Sequence, residues 1–132
     1  MWGHNPDCRL VKKLEYYQKS GRTKNFSNPQ YCTYMEDKII DQVSCGTSHT
    51  LILDIDGYVY SAGSPEYGQL GTISYNFNPR ACQIPYIIMQ GFSISDPAIK
   101  VCASDGFSLI LNKKGNVFSC GKGNFGRLGQ GN

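Results

Sequence analysis

The chain has 132 residues, of which 40% are hydrophobic, so it is long enough and apolar enough for one ordinary packed domain. Charged residues make up only 17%, which excludes a disordered tail, and no apolar run is long enough for a transmembrane helix. The N-terminus, MWGHNPDC, has neither the basic start nor the apolar stretch of a secretory signal. We therefore expect an intracellular protein with reduced cysteines, which lack the close pairs of a zinc site.

The first predicted element resembles the end of a motif that recurs further along the chain. Residues 2–10 can be laid over residues 62–70, and the glycine and leucine of the pattern match at Gly3 and Leu10. We interpret residues 1–11 as the end of a preceding repeat.

Residues 12–38 form a variable stretch that is basic and aromatic and that should include an outer strand. Residues 11–28 carry a net charge of +4, whereas the rest of the chain sums to −1. Such a stretch is either an ordinary solvated loop or a contact for an acidic partner, such as nucleic acid, an acidic protein surface or a tubulin-like tail. Together with residues 72–98, it supplies the candidate partner contacts, chosen as basic and aromatic side chains: Lys12, Lys13, Tyr16, Tyr17, Lys19, Arg22, Lys24, Tyr75 and Phe77.

Residues 39–71 form a repeat motif with three strands and a glycine-rich end. Residues 39–45 indicate an entry strand, and HTLIL at 49–53 is a short apolar run without alternation, typical of a strand buried on both faces. The dipeptide Asp-Gly at 56–57 predicts a tight hairpin, and a return strand follows it directly. The motif ends in G-x-x-x-x-G-x-L-G, whose glycines allow sharp turns with positive φ.

Residues 72–98 form a second variable stretch, in which we expect a loop and an outer strand. The apolar residues near 82–89 indicate this strand. Pro85 interrupts them and cannot donate to a strand ladder, so the strand should lie at an edge of its sheet.

Residues 99–132 repeat the motif and are expected to be a truncated copy. Residues 101–129 align with residues 43–71 without a gap, and eleven of these 29 positions are identical. GKGNFG in this copy fits the G-x-G-x-x-G fingerprint of a dinucleotide-binding loop, but the first copy has Pro65 where the second has Gly123. We therefore interpret the glycines as marks of the repeat. The structural repeat residues are Gly3, Leu10, Gly46, His49, Leu51, Leu53, Gly57, Gly63, Gly68, Leu70, Gly71, Leu109, Leu111, Gly115, Gly121, Gly126, Leu128 and Gly129.

Each period of about 60 residues supplies about four strands, and four-stranded units repeated at such a period are propeller blades. The pattern V-x-C-G-x-x-H-T-L-x-L-x-x-D-G-x-V-Y-S-x-G, followed by G-Q-L-G, resembles the regulator of chromosome condensation repeat. The resemblance implies an all-β fold and a seven-bladed β-propeller, of which this chain would supply about two four-stranded blades. Departures from the family pattern affect detail rather than architecture; they lie at Cys8, Ala62, Ser104, Phe107 and Cys120.

Two groups of residues could suggest chemistry. His49 stands beside Ser48, with Asp54 nearby, as a catalytic triad might. Phe107 fills the position of His49 in the second copy, so we interpret His49 as a buried ring that is hydrogen-bonded to the backbone. The acidic turn that starts at Asp54 is similar to a calcium loop, but Pro65 stands where the bidentate glutamate is needed. We therefore expect no catalytic residue, no metal and no cofactor.

A propeller closes only when its last blade meets its first, and this chain supplies a little over two blades. We expect the faces of two blades to be left open, although repeat proteins derive much of their stability from contacts between neighbours. The chain is therefore expected to be part of a longer propeller; otherwise its open faces must be covered by a partner or sister chain.

Proteins of one fold carry many functions, so the fold alone does not decide between hypotheses. The first hypothesis is a non-enzymatic scaffold that binds proteins within a larger assembly. It would act in the cytoplasm or at the cytoskeleton, including cilia, rather than in the nucleus or mitochondrion. The alternatives are guanine-nucleotide exchange on a small GTPase, which is the activity of the founding member of the family, and binding to chromatin or nucleic acid. We expect neither a membrane nor a small-molecule substrate.

Overall fold

The computed structural model describes residues 27–29, 31–32, 35–72, 87–89 and 91–131, which form two antiparallel sheets. The first sheet contains, in this order, β1 (Ile40–Cys45), β2 (His49–Asp54), β3 (Val59–Gly63) and β4 (Ile87–Ile88). The second contains β5 (Ala98–Ala103), β6 (Phe107–Asn112) and β7 (Val117–Gly121), and a 3₁₀ turn, Asn124–Gly126, follows it. The expected all-β class is confirmed, and within the described residues the first sheet has four strands and the second has three.

The two sheets repeat each other residue by residue. Gln42 of β1 pairs with Leu53, and Lys100 of β5 pairs with Leu111 at the same place in the second sheet. Each of these positions follows an irregularity in the first strand of its sheet. The repeat predicted from the sequence is therefore also a repeat of strand register, which fixes the direction of every strand side chain.

The hydrophobic core lies between the two sheets. Leu51 and Val59 of the first sheet belong to one buried cluster with Val101 and Ile110 of the second. Met89, next to the end of β4, joins the same cluster. Alternate residues of β2, Leu51 and Leu53, thus point into the contact between the sheets, as the period of two requires.

The strand β2 is buried on both faces, as predicted, because its other face is also covered. Ile52, Tyr60 and Ala62 form a second buried cluster with Met35, and Cys32 packs against it. The expectation of two open faces therefore holds only in part for the first sheet, because the variable stretch 12–38 covers Ile52 and Tyr60, whereas Val43 on the same face is 55% exposed. The second sheet differs, since residues along β6 alternate between half-buried and buried.

The same hydrogen bonds close the β2–β3 and β6–β7 hairpins. Oδ1 of Asp54 accepts a hydrogen bond from the amide of Tyr58 at 2.9 Å, and Oδ1 of Asn112 accepts one from the amide of Asn116 at 2.8 Å. Gly57 has a φ of 88° at the first turn, a conformation that costs glycine little. The interpretation of this acidic stretch as a hairpin turn is confirmed.

We expected an outer strand near residues 82–89, and within the described residues the structure has β4 at Ile87–Ile88. Pro85 and the rest of residues 82–86 lie outside the described residues. The strand β4 pairs with Tyr60 and Ser61 at the edge of the first sheet, so its edge position is confirmed.

Candidate protein-interaction surface

The loops that follow β3 and β7 lie at the same end of the sheets as the turns that follow β1 and β5. We call this region the loop end, and it comprises residues 46–48, 64–71, 104–106 and 122–130. Each long loop is fastened to its own sheet by a serine: Oγ of Ser61 donates to the carbonyl of Leu70 at 2.8 Å, and Oγ of Ser119 donates to that of Leu128 at 2.7 Å. The sequence repeat therefore places two related loops side by side.

Asp105 connects the parts of the loop end. Its Oδ2 lies 3.4 Å from Nζ of Lys122 and 3.6 Å from a guanidinium nitrogen of Arg127. The Lys122 ammonium also lies 5.3 Å from the centre of the Tyr67 ring, which belongs to the loop of the first copy. Exposed ion pairs contribute little individually, but here one carboxylate joins two cations on one loop, and one of them contacts the neighbouring loop.

Arg127 lies between two aromatic rings. Its guanidinium carbon is 5.6 Å from the centre of the Phe107 ring and 5.8 Å from that of Phe125. Its Nε donates to the carbonyl of Asn124 at 2.8 Å, which fixes the loop from inside. The arginine thus lies beside Phe125, whose ring is almost fully exposed to solvent.

Phe125 is the least expected side chain of the described surface. It is 98% exposed, and its backbone has a φ of 62° and a ψ of 24°. Among the described residues it is the only non-glycine residue with a positive φ. The left-handed conformation costs roughly 1–3 kcal/mol for such a residue, and exposing a phenyl ring forgoes the gain from burial. The positive φ is the feature that motivates a hypothesis of function, since strained backbone clusters at functional sites.

The first copy uses the same positions differently. Tyr67 corresponds to Phe125, and Gln69 corresponds to Arg127. Gln69 is buried, and its Oε1 accepts a hydrogen bond from the amide of Tyr67 at 2.8 Å. The sequence alone led us to interpret the glycines of this stretch as marks of the repeat. It did not lead us to Phe125 and Arg127 as candidate surface residues. The available signal was the replacement of glutamine by a cation beside an aromatic residue.

The partner contacts predicted from the sequence lie outside the described residues, and so do the repeat residues Gly3 and Leu10. These contacts are Lys12, Lys13, Tyr16, Tyr17, Lys19, Arg22, Lys24, Tyr75 and Phe77. They stay predictions, and the candidate surface consists of the loop end alone.

His49 is buried, as predicted, but the hydrogen bond of its Nε2 is to a side chain rather than to the backbone. Nε2 lies 2.8 Å from Oγ of Ser108, across the contact between the sheets. That hydroxyl donates its proton to the carbonyl of Gln69 at 2.7 Å, so the imidazole must donate through Nε2. Asp54 instead accepts a hydrogen bond from the hydroxyl of Tyr60 at 2.9 Å. His49 and Asp54 are therefore hydrogen-bonded to other residues rather than to each other.

Burial and the neighbouring carboxylate act on Tyr60 in the same direction. Loss of solvent around its hydroxyl, and the hydrogen bond to Asp54, raise the pKa of Tyr60 well above its ordinary value. Burial likewise raises the pKa of the Cys120 thiol. Within the part of the chain that the structure describes, no three His, Cys, Asp or Glu side chains are grouped as metal ligands. In the same residues no helix is long and apolar enough to cross a membrane.

Comparison with known proteins identifies the repeat. Residues 40–69 and 98–127 match the family model of the Regulator of chromosome condensation (RCC1) repeat. Protein RCC2 homolog from Danio rerio is 31% identical over 97% of this chain, which spans 23% of that protein. Serine/threonine-protein kinase Nek9 from Xenopus laevis is 29% identical over 89% of this chain, which spans 12% of the kinase.

Solved structures confirm the partial β-propeller. Yeast RCC1 (Prp20), crystallised with Kap60 bound, has a TM-score of 0.71 and 20% identity over 98% of this chain and 29% of its own. Prp20p from Saccharomyces cerevisiae, studied together with its binding to Gsp1p and histones, gives a TM-score of 0.71 and 20% identity over 99% of this chain and 30% of its own. The chain thus spans less than a third of each of these proteins.

Proposed function

The chain carries two repeats of the regulator of chromosome condensation type, and from this premise we propose that it is a non-enzymatic scaffold that binds other proteins within a larger assembly. The loop end is the surface that we assign to this binding. We also propose that the protein acts in the cytoplasm or at the cytoskeleton, including cilia.

The observation that carries the proposal is the state of Phe125. A phenyl ring that is 98% exposed at a φ of 62° is a cost to the free chain. Binding of a partner would bury the ring and turn this cost into a gain, because aromatic side chains surrounded by polar ones are common anchors of interfaces. The surrounding charges of Asp105, Lys122 and Arg127 hold the loop in place before the partner arrives, which lowers the entropy lost on binding.

The yeast propeller supports the proposal by example. That protein was solved with Kap60 bound, so a protein that contains this fold can be one member of a protein complex. At 20% identity the likeness concerns the fold, and the identity of the partner does not transfer.

The two alternatives have less support from this chain. The binding of Gsp1p and histones is reported for the yeast propeller. Guanine-nucleotide exchange would require a wedge aimed at a small GTPase, and the described residues of the loop end offer an aromatic anchor instead. Binding to nucleic acid or chromatin rested on the basic stretch 11–28, of which only residues 27–28 are described.

The test is site-specific photocrosslinking in cells that produce the protein. p-Benzoylphenylalanine replaces Phe125 in one variant and Ile55 in another, because Ile55 is exposed on the β2–β3 turn, at the opposite end of the sheets. We expect discrete protein adducts from position 125 that position 55 does not give. The same adducts from both positions, or none from position 125, would refute the loop end as the binding surface.

A further inference from the structure

The charged side chains of the loop end differ in how far they reach into solvent. The loop end contains two carboxylates, Glu66 and Asp105, and two cations, Lys122 and Arg127, so its formal charges cancel. The side chain of Asp105 is 61% exposed, whereas those of Lys122 and Arg127 are 26% and 22% exposed. Glu66 is exposed as well. A partner that approaches the loop end therefore meets the carboxylates before the cations.

The two cations use hydrogen-bond donors within the protein. Nε of Arg127 donates to the carbonyl of Asn124 at 2.8 Å, and a terminal guanidinium nitrogen donates to the carbonyl of Asp105 at 3.4 Å. Nζ of Lys122 donates to Oδ2 of Asp105 at 3.4 Å and lies 5.3 Å from the centre of the Tyr67 ring. Because these donors serve the loop itself, they are not available to the acceptors of a partner.

The two carboxylates, in contrast, keep acceptors for a partner. Within the described residues the side-chain contacts of Asp105 are made through Oδ2, which leaves Oδ1. Glu66 has no ion pair with any residue that the structure describes. A carboxylate only accepts hydrogen bonds, and its strongest partners are the charged donors of Arg and Lys.

Aromatic rings lie among these carboxylates. Tyr67 follows Glu66 directly, and it is 45% exposed even though Lys122 of the neighbouring loop lies over its ring. Successive contacts of at most 5.8 Å join Tyr67 to Phe125 through Lys122, Asp105 and Arg127. An ordinary interface of about 800 Å² per partner can therefore cover both rings together with the carboxylates.

We propose that the loop end binds a basic protein surface, in which an apolar pocket takes an aromatic ring and Lys or Arg side chains at the rim pair with Asp105 and Glu66. Complementary charge selects this partner, because like charges that face each other across an interface are strongly unfavourable. A nucleic acid or an acidic protein would bring its anions against the exposed carboxylates. This inference rests on the proposed binding role of the loop end and adds the chemical class of the partner.

The test adds a charge reversal to the variant that carries p-benzoylphenylalanine at position 125. Glu66→Lys reverses the charge of the loop end, and Asp56→Lys is the matched control with the same change in net charge. Asp56 is exposed on the β2–β3 turn at the opposite end of the sheets, and the second copy already has Lys114 at that position. We expect Glu66→Lys to lower the yield of protein adducts at least about fivefold and Asp56→Lys to leave it within about twofold. Glu66→Asp keeps the charge and should also leave the yield within about twofold.

Sequencing of the adducts tests the partner directly. We expect Lys and Arg to outnumber Asp and Glu in the partner segment around the attachment point. If position 125 gives adducts whose yield Glu66→Lys leaves unchanged or raises, the basic partner is refuted and the binding role of the loop end stands. An acidic partner segment, or adducts that nuclease removes, would refute it as well. If position 125 gives no adducts before any charge is changed, the proposed function fails, and this inference fails with it.

Discussion

Gly57 and Gly115 provide a matched pair of positions that tests how the two sheets are joined. Both glycines have a φ of 88° and occupy the same place in their hairpins. A Cβ added at Gly57 would overlap the ring of Pro97 and lie 3.1 Å from the amide nitrogen of Ala98, whereas one added at Gly115 would meet nothing within 4 Å. The carbonyl of Gly57 also accepts a hydrogen bond from Ala98 at 3.0 Å, which ties the first hairpin to the start of β5.

The two alanine variants should therefore differ in stability. In each variant, an alanine in the left-handed conformation lowers the free energy of unfolding by about 1 kcal/mol. Gly57→Ala adds about 1–3 kcal/mol for overpacking against Pro97 and about 1 kcal/mol for the strained hydrogen bond. We expect Gly57→Ala to lower the free energy of unfolding by about 3–5 kcal/mol and Gly115→Ala by about 1 kcal/mol.

Urea titration of both variants, followed by circular dichroism, measures this difference. Small proteins lose about 1–3 kcal/mol of stability per molar urea, so the midpoint for Gly57→Ala should lie at least about 0.7 M below that for Gly115→Ala. Equal midpoints for the two variants would show that Pro97 does not pack on the first hairpin, and the account of the sheet contact would be wrong.

Three further predictions concern polar groups and strain. Phe125→Gly should keep or raise the free energy of unfolding, by up to about 1 kcal/mol, while it abolishes capture of the partner protein, as checked by urea titration and pull-down. Ser108→Ala should cost about 2–3 kcal/mol, because it removes the buried hydrogen bonds of this hydroxyl to His49 and to the carbonyl of Gln69, whereas Ser119→Ala at a half-exposed site should cost less than about 1 kcal/mol by the same titration. The raised pKa of Tyr60 makes its contribution to stability complete below about pH 10, the ordinary tyrosine pKa, and this contribution is lost as the pH rises towards the pKa of the folded state. Unfolding measured between pH 8 and about pH 11 should therefore show a smaller loss of stability in Tyr60→Phe than in the wild type.

Much of the fold could be predicted because the sequence contains two copies of one motif that can be aligned with each other. The alignment of the two copies places Leu51 beside Leu109 and Gly57 beside Gly115, and both the register and the turns follow from it. The partial cover on the outer face of the first sheet could not be predicted, since Met35 and Cys32 lie in a variable stretch that has no second copy. Without a second copy of that stretch, nothing in the sequence indicates that Tyr60 is buried on that side.

The candidate surface was harder to predict, for a physical reason. Periodicity indicates which strand residues are buried, but it says nothing about the backbone conformation of a loop. Phe125 matches Tyr67 as one aromatic residue matches another, yet only Phe125 has a positive φ.

Amide hydrogen exchange of the chain, with and without the protein captured at position 125, tests the binding role of the loop end most directly. We expect protection on binding at residues 104–106 and 122–130, with little change in the turns at 55–58 and 113–116. Protection confined to those opposite turns, with residues 122–130 unchanged, would contradict the proposal that Phe125 anchors a partner.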